Sequence, residues 1–177
     1  PTGIVPGGVA FQMTEEVRDR ILAGVPEAIA ATERAIAWFK QDMIRWEEEA
    51  STFGNFRTAF MGLVDRQGHV DHYGGCVGVG GADGQVLADR VDPKTFNYYI
   101  GEAVEPWSYL KTTYWKPMGY PDGIYRVGPL ARLNVADRCG TPRADEELEK
   151  FRWRVGRVAG SSFHYHYARL IDTLHAI

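Results

Sequence analysis

Ile29, Ile36, Phe39, Met43 and Trp46 stand 7, 3, 4 and 3 residues apart, the repeat of one helical face. A stripe of this kind demands a packing partner, so it constrains the fold more than any other stretch. Pro26 suits the first position of such a helix, whose N–H has no partner in any case. The spacing predicts a helix over 26–50, roughly 36 Å long at about 1.5 Å per residue. Upstream, Thr14 can serve as N-cap and Glu15 and Glu16 suit the positive helix end. Gly24 then predicts a stop, giving a first helix over 14–24. One detail conflicts with this reading. Glu47, Glu48 and Glu49 would crowd the negative C-terminal end of the second helix.

Residues 60–91 change period. Short β-type runs are broken by Arg66-Gln67-Gly68, Gly74-Gly75 and Ala82-Asp83-Gly84, which predicts a meander of three or four strands. Asp92-Pro93 predicts a helix start, with Phe96, Ile100 and Ala103 facing inward. Thr141-Pro142 opens a helical region with Asp145, Glu146 and Glu147 early in it. Its stripe is Leu148, Phe151, Val155 and Val158. Gly160-Ser161-Ser162 should break or kink that helix. A last helix carries Tyr167, Leu170, Ile171 and Leu174. The expected fold class is mainly helical α+β: a long antiparallel helix pair, a small antiparallel β-meander and a C-terminal helical region. All 177 residues form one central domain or fragment: helical 10–50, meander 60–91, helix and aromatic loop 92–140, helical 141–177. The chain starts on Pro and its last helix lacks a stop signal, which reads as a piece of a longer chain.

Between Glu105 and Pro121 lie Trp107, Tyr109, Tyr114, Trp115 and Tyr120, with Lys111 and Lys116, and no period of 2 or 3.6. Two readings compete: loop filler over the local core, or a surface that another chain covers. Composition narrows the options elsewhere. A formal net charge of −3 and scattered Lys and Arg argue against nucleic acid. No run of about 18 apolar residues exists, which argues against a membrane span. Two cysteines 63 positions apart suggest a reducing, cytoplasmic context, not a disulfide framework.

No catalytic or cofactor-binding motif emerges. Residues 74–84 are glycine-rich, but Asp83 stands where G-x-G-x-x-G needs its third Gly, so turns and strands are the better reading. Ser161 and Ser162 lack a G-x-S-x-G elbow. Cys139 beside Arg138 could have a lowered pKa, though a buried thiol is the simpler reading. His69 and His72 on a strand would point to opposite faces, and His164 and His166 would also diverge. His166 falls on the apolar stripe and reads as a hydrogen-bonded core residue. No metal site is expected.

"GIYRVGPLARLNVADRCGTP", "PGGV", "FGNFRTAFMGLV", "GEAVEPWSYLK" and "FHYHYARLIDTLHAI" together carry a resemblance. The chain resembles the large subunit of nickel–iron hydrogenases of the cytoplasmic, NAD-reducing (bidirectional) type. The resemblance implies a parent that reversibly oxidises dihydrogen, with a flavin module and an iron–sulfur small subunit passing electrons to NAD. It also implies a nickel–iron centre in the parent, held by two Cys-x-x-Cys pairs that this chain lacks. No catalytic, cofactor or metal residue is therefore carried over. What carries over is subunit contact and scaffold: Pro6, Gly7, Gly8 and Val9; Trp107, Ser108, Tyr109 and Lys111; and Arg132. The fragment alone is not expected to be active and is expected to self-associate. The rival implications are a non-catalytic binding or assembly module and a complex I-type subunit.

Overall fold

The computed structural model describes residues 12–177; the contact residues Pro6, Gly7, Gly8 and Val9 lie outside that range. Its fold is mainly helical α+β, as the periodicities imply. Helix α1 (Glu15–Arg45) is followed by α2 (Glu47–Thr52). Strands β1 (Ala59–Val64), β2 (Cys76–Gly80) and β3 (Val86–Val91) come next. A short helix α3 (Phe96–Tyr99) leads into strands β4 (Ile100–Ala103) and β5 (Thr112–Trp115). Then come β6 (Tyr125–Arg126), α4 (Pro129–Val135), α5 (Pro142–Val155) and α6 (His164–Ala176).

The N-terminal helices differ from the expected pair. Thr14 does cap α1, accepting from Val17 N at 3.3 Å. The helix then runs through Gly24 and Pro26 without stopping. Proline removes one donor, freeing the carbonyl of Leu22. Both residues are exposed, so water can take that carbonyl. The long antiparallel pair is formed instead by α1 and α6, from opposite ends of the sequence. Phe39 stacks on Phe163 at 5.8 Å and meets Tyr167 at 5.9 Å, while Leu174 and Ile36 line one cleft. The acidic run also finds its reason. Helix α1 ends at Arg45, so Glu47–Glu49 form the first turn of α2, the end that favours carboxylates.

The meander is present: β1 pairs antiparallel with β2, Phe60 opposite Gly80 and Val64 opposite Cys76, and β2 pairs antiparallel with β3. One partner has no counterpart in the sequence pattern. β6 adds parallel to β1, Ala59 opposite Tyr125, giving the order β3-β2-β1-β6. A two-residue strand leaves no periodic signal. Helix α4 lies across β1, where Gly62 makes close approach possible: a Cβ there would stand 3.1 Å from Arg132 Cα.

The predicted helix from Asp92 shrinks to one 3₁₀ turn, Pro93–Thr95, and the single turn of α3. Asp92 still caps it, accepting from Lys94 N at 2.9 Å. Ile100 and Ala103 belong to β4, paired with Trp115 and Thr112 of β5. Gly101 lies against the Tyr114 ring so closely that a Cβ would overlap it. Three apolar residues at helical spacing are too few to outweigh that pairing.

Two cores result. The larger joins Ile36, Met43, Leu130, Leu133, Leu148, Phe151, Tyr167 and Ile171. The smaller joins Ala59, Met61, Val79 and Trp115. Helix α5 ends earlier than expected, at Val155 with Gly156 as its cap, so Val158 and Gly160-Ser161-Ser162 lie in the loop before α6. Gly156 takes φ +89°, Asn134 pairs both ways with the Ala159 backbone at 2.9 and 3.0 Å, and Ser161 Oγ donates to the Phe53 carbonyl at 2.9 Å.

Candidate functional site

The β1–β2 connection, α4, the start of α5 and the end of α6 converge on one carboxylate, Asp172. Arg132 of α4 grips it with two donors, Nε to Oδ1 at 3.2 Å and Nη2 to Oδ2 at 2.5 Å. His72 meets Oδ1 through Nε2 at 3.0 Å. The His175 ring lies 5.5 Å from His72, and its Nδ1 is 3.2 Å from Thr141 Oγ1. Burial opposes the charge on Asp172, but Arg132 and His72 outweigh it and hold the carboxyl below its usual range. Burial, and then the charge of His72, lowers the pKa of His175.

A second cluster lies inside the helical core. Glu147 is buried, accepts from Tyr167 Oη at 2.5 Å, and is paired with Lys40 and, at 3.4 Å, with Lys150. Burial works against the ionised carboxylate, yet Lys40 and Tyr167 lower its pKa below normal. The same burial, with Glu147 as acceptor, pushes Tyr167 up.

A cavity of about 350 Å³ opens beside α2 and the α5–α6 loop, lined in part by Met43, Asn55, Phe60, Arg154, Ser161 and His164. His164 Nδ1 is buried without a hydrogen-bond partner among the described residues, and burial followed by Arg154 lowers its pKa. The histidine assignment therefore shifts: His166 is exposed, and His164 is the enclosed ring. His69 and His72 are not on a regular strand. They diverge because His69 pairs with Asp65 at 3.1 Å and His72 with Asp172.

None of these clusters assembles a nucleophile with a base. Ser161 and Ser162 donate to backbone carbonyls. Cys139 is buried and its thiol is pushed up to about 12, chiefly by burial, which makes it inert at neutral pH. Among the described residues, no three His, Cys, Asp or Glu side chains come together to hold a metal ion. The two free cysteines, Cys76 and Cys139, do not reproduce a four-thiolate set, so the residues present do not fit a nickel–iron centre.

His164 and His175 make a pH prediction. A histidine whose pKa is lower folded than unfolded binds fewer protons in the folded state. Stability is then full above the unfolded value of about 6.5 and falls as pH drops below it. The melting temperature should decline from pH 7.5 to 5.5, a window in which Asp172 stays ionised. Gln at both histidines should flatten that decline; an unchanged slope would show that neither is held neutral by the fold.

The aromatic segment divides in two. Trp115 is 3% exposed on β5 and stacks on Tyr99 at 5.2 Å, so it is core. Tyr114 and Tyr120 pack on each other at 5.8 Å. Trp107 and Tyr109, in the β4–β5 connection, are 80% and 96% exposed, beside exposed Val104 and Leu110. Ser108 Oγ caps that turn by accepting from Leu110 N at 3.1 Å, and Lys111 bonds Glu102 at 2.8 Å. The structure thus brings Trp107, Ser108, Tyr109 and Lys111 onto one hairpin. Arg132 lies apart from them, turned inward to Asp172. The Asp172 junction escapes sequence reasoning: its members are 100 and 40 residues from their partners.

No protein-family model matches the chain. Over 99% of its length it is 37% identical to a subunit of the vhu F420-non-reducing hydrogenase of Methanocaldococcus jannaschii, and covers 42% of that protein. It is 34% identical over 97% of its length to the beta subunit of the NAD-reducing hydrogenase HoxS of Cupriavidus necator, covering 36% of it. A further relative at 34% is the iron–sulfur subunit of an F420-non-reducing hydrogenase from Archaeoglobus profundus; the chain covers 38% of it. Among solved structures, a chain of an NAD+-reducing [NiFe]-hydrogenase in the H2-reduced state superposes with a TM-score of 0.89 at 40% identity, over 97% of this chain and 38% of that one. These findings overturn the assignment to the large subunit of the NAD-reducing branch. None of these relatives bears the name of a large subunit, one is named as an iron–sulfur subunit, and F420-non-reducing enzymes stand beside the NAD-reducing one. Among the described residues no helix is long and apolar enough to cross a membrane. The chain spans about two-fifths of the length of the curated relatives it matches, and over that stretch its sequence and fold are similar to those of hydrogenase subunits.

Proposed function

We propose that this chain is a scaffold segment of a hydrogenase subunit whose parent complex reversibly oxidises dihydrogen and delivers the electrons through other subunits toward NAD. The observation that carries this reading is end-to-end similarity: 99% of the chain aligns with part of one hydrogenase, and 97% superposes on part of another. The internal chemistry supports a scaffold role. Asp172, Glu147, Arg132 and Lys40 are spent on one another, holding α1, α4, α5 and α6 together. The exposed hairpin of Trp107, Ser108, Tyr109 and Lys111 is the proposed contact with other subunits of the complex. Aromatic rings are enriched in such contacts because they bury much area at modest entropic cost.

The test is hydrogen-dependent reduction of a viologen dye, and then of NAD, by the purified complex that carries this chain. Turnover by the complex and none by the 177-residue chain is the expected result; a complex inert toward hydrogen would sink the proposal. The isolated chain, dialysed against a chelator, should also retain no stoichiometric nickel or iron. About one nickel per chain, lost on changing His164 and His166, would reveal a site that the residues do not otherwise support.

A further inference from the structure

The inner stripe of α1 outruns the chain that covers it. Thr32, Ile36 and Met43 are buried, and Ile29 and Phe39 pack against the same core. Counting back from Ile29 by the same spacing reaches Val25 and Leu22, with Ile21 beside them. These stay on the inward face, yet Leu22 is 57% and Ile21 53% exposed. Residues 15–31 contain no buried position at all. The reason is geometric. Helix α6 packs along α1, with Phe163 and Tyr167 on Phe39 and Leu174 lining the same cleft as Ile36, and it ends at Ala176.

The uncovered turns are also a poor helix by themselves. In proteins most of a helix's stability comes from packing of its apolar face, which these turns lack. This stretch contains Gly24 and Pro26, the two residue types that most weaken a helix interior. A Cβ added at Gly24 would meet nothing within 4 Å. A continuous helix there needs a partner that buries its apolar side.

We propose that Leu22, Val25 and Ile21 seat a second antiparallel helix, in line with α6, contributed by the part of the parent subunit that this chain does not span. The inference rests on the reading of the chain as a segment of a longer hydrogenase subunit. Two observations select this occupant over a second copy. The relatives are more than twice as long as the stretch they share with this chain, so the same polypeptide has material to supply. The bare stripe also continues the α1–α6 seam directly, and that seam is intrachain.

The experiment places a photo-cross-linking phenylalanine analogue at Leu22 in the full-length parent subunit within its complex, and maps the adducts by mass spectrometry. The expected adducts join residue 22 to the same polypeptide, outside the stretch spanned here. Adducts to a second copy, to another subunit, or to residues 1–177 overturn the proposal. Hydrogen exchange gives an independent readout. Amides of residues 18–25 should exchange at least tenfold faster in the isolated chain than in the parent, and equal rates overturn it as well. Leu22→Asp should leave the melting temperature of the isolated chain unchanged while lowering the yield of soluble parent. An unchanged yield counts against the seat. Cross-links in the expected place on a complex inert toward hydrogen would spare this inference and remove only the hydrogenase reading.

Discussion

Asp172→Ala is expected to destabilise the folded chain by about 3 kcal/mol at pH 7, toward the lower end for breaking one partner of an enclosed ion pair. The side chains of Asp172 and Arg132 are 13% and 23% exposed, and the pair is two-pronged. Removing the carboxylate leaves the Arg132 guanidinium half-buried without an acceptor and frees His72 from α6. Asp172→Asn keeps one acceptor and should cost less. The pH dependence supplies a check on the cause. A carboxyl held below its unfolded pKa contributes stability that is present above about pH 4 and lost as pH falls through the folded value. Urea unfolding of wild type and variant should therefore differ at pH 7, and the difference should shrink as pH falls below about 4. A difference under about 1 kcal/mol at pH 7, or one that persists in acid, would show that the junction contributes packing and not charge pairing.

Phe151→Ala should be at least as costly, about 3–5 kcal/mol, the usual range for emptying an aromatic site in a packed core. Phe151 is fully buried on α5. It stands edge-on to Tyr167 at 5.1 Å and 88°, and to His164 at 6.0 Å and 90°. Those contacts tie α5 to α6, and Tyr167 in turn meets Phe39 of α1. The cavity left behind would border Glu147, whose Tyr167 partner would lose its support. Phe151→Leu keeps most of the volume and should cost roughly 1.5 kcal/mol or less. Equal losses for the two substitutions would mean that edge-on aromatic geometry, not filled volume, is what the site requires.

Sequence by itself determined the features whose physics is local. Thr14 as a cap, the Asp92-Pro93 start and the Thr141-Pro142 start each depend on groups within a few residues, and each stands in the fold. The meander over 60–91 was legible because its turns carry their own glycines. The inward stripe of α1 was legible at Ile29, Ile36, Phe39 and Met43 because 3.6-residue periodicity survives any tertiary arrangement, whereas Trp46, past the helix end at Arg45, is exposed. Only the tertiary structure decided the rest. Gly24 and Pro26 looked like punctuation, and local propensity favoured a stop; the helix instead runs unbroken through both, from Glu15 to Arg45. Ile100 and Ala103 fitted a helical spacing, and pairing with Thr112–Trp115 made them a strand. Trp115 and Trp107 could not be told apart as rings in one segment, since only the fold puts Trp115 on β5 against the smaller core and leaves Trp107 in the exposed β4–β5 connection. The Asp172 junction had no local signature at all. Its four side chains come from residues 72, 132, 172 and 175, and only the packing of α4 and α6 against the β1–β2 connection brings their charges within reach.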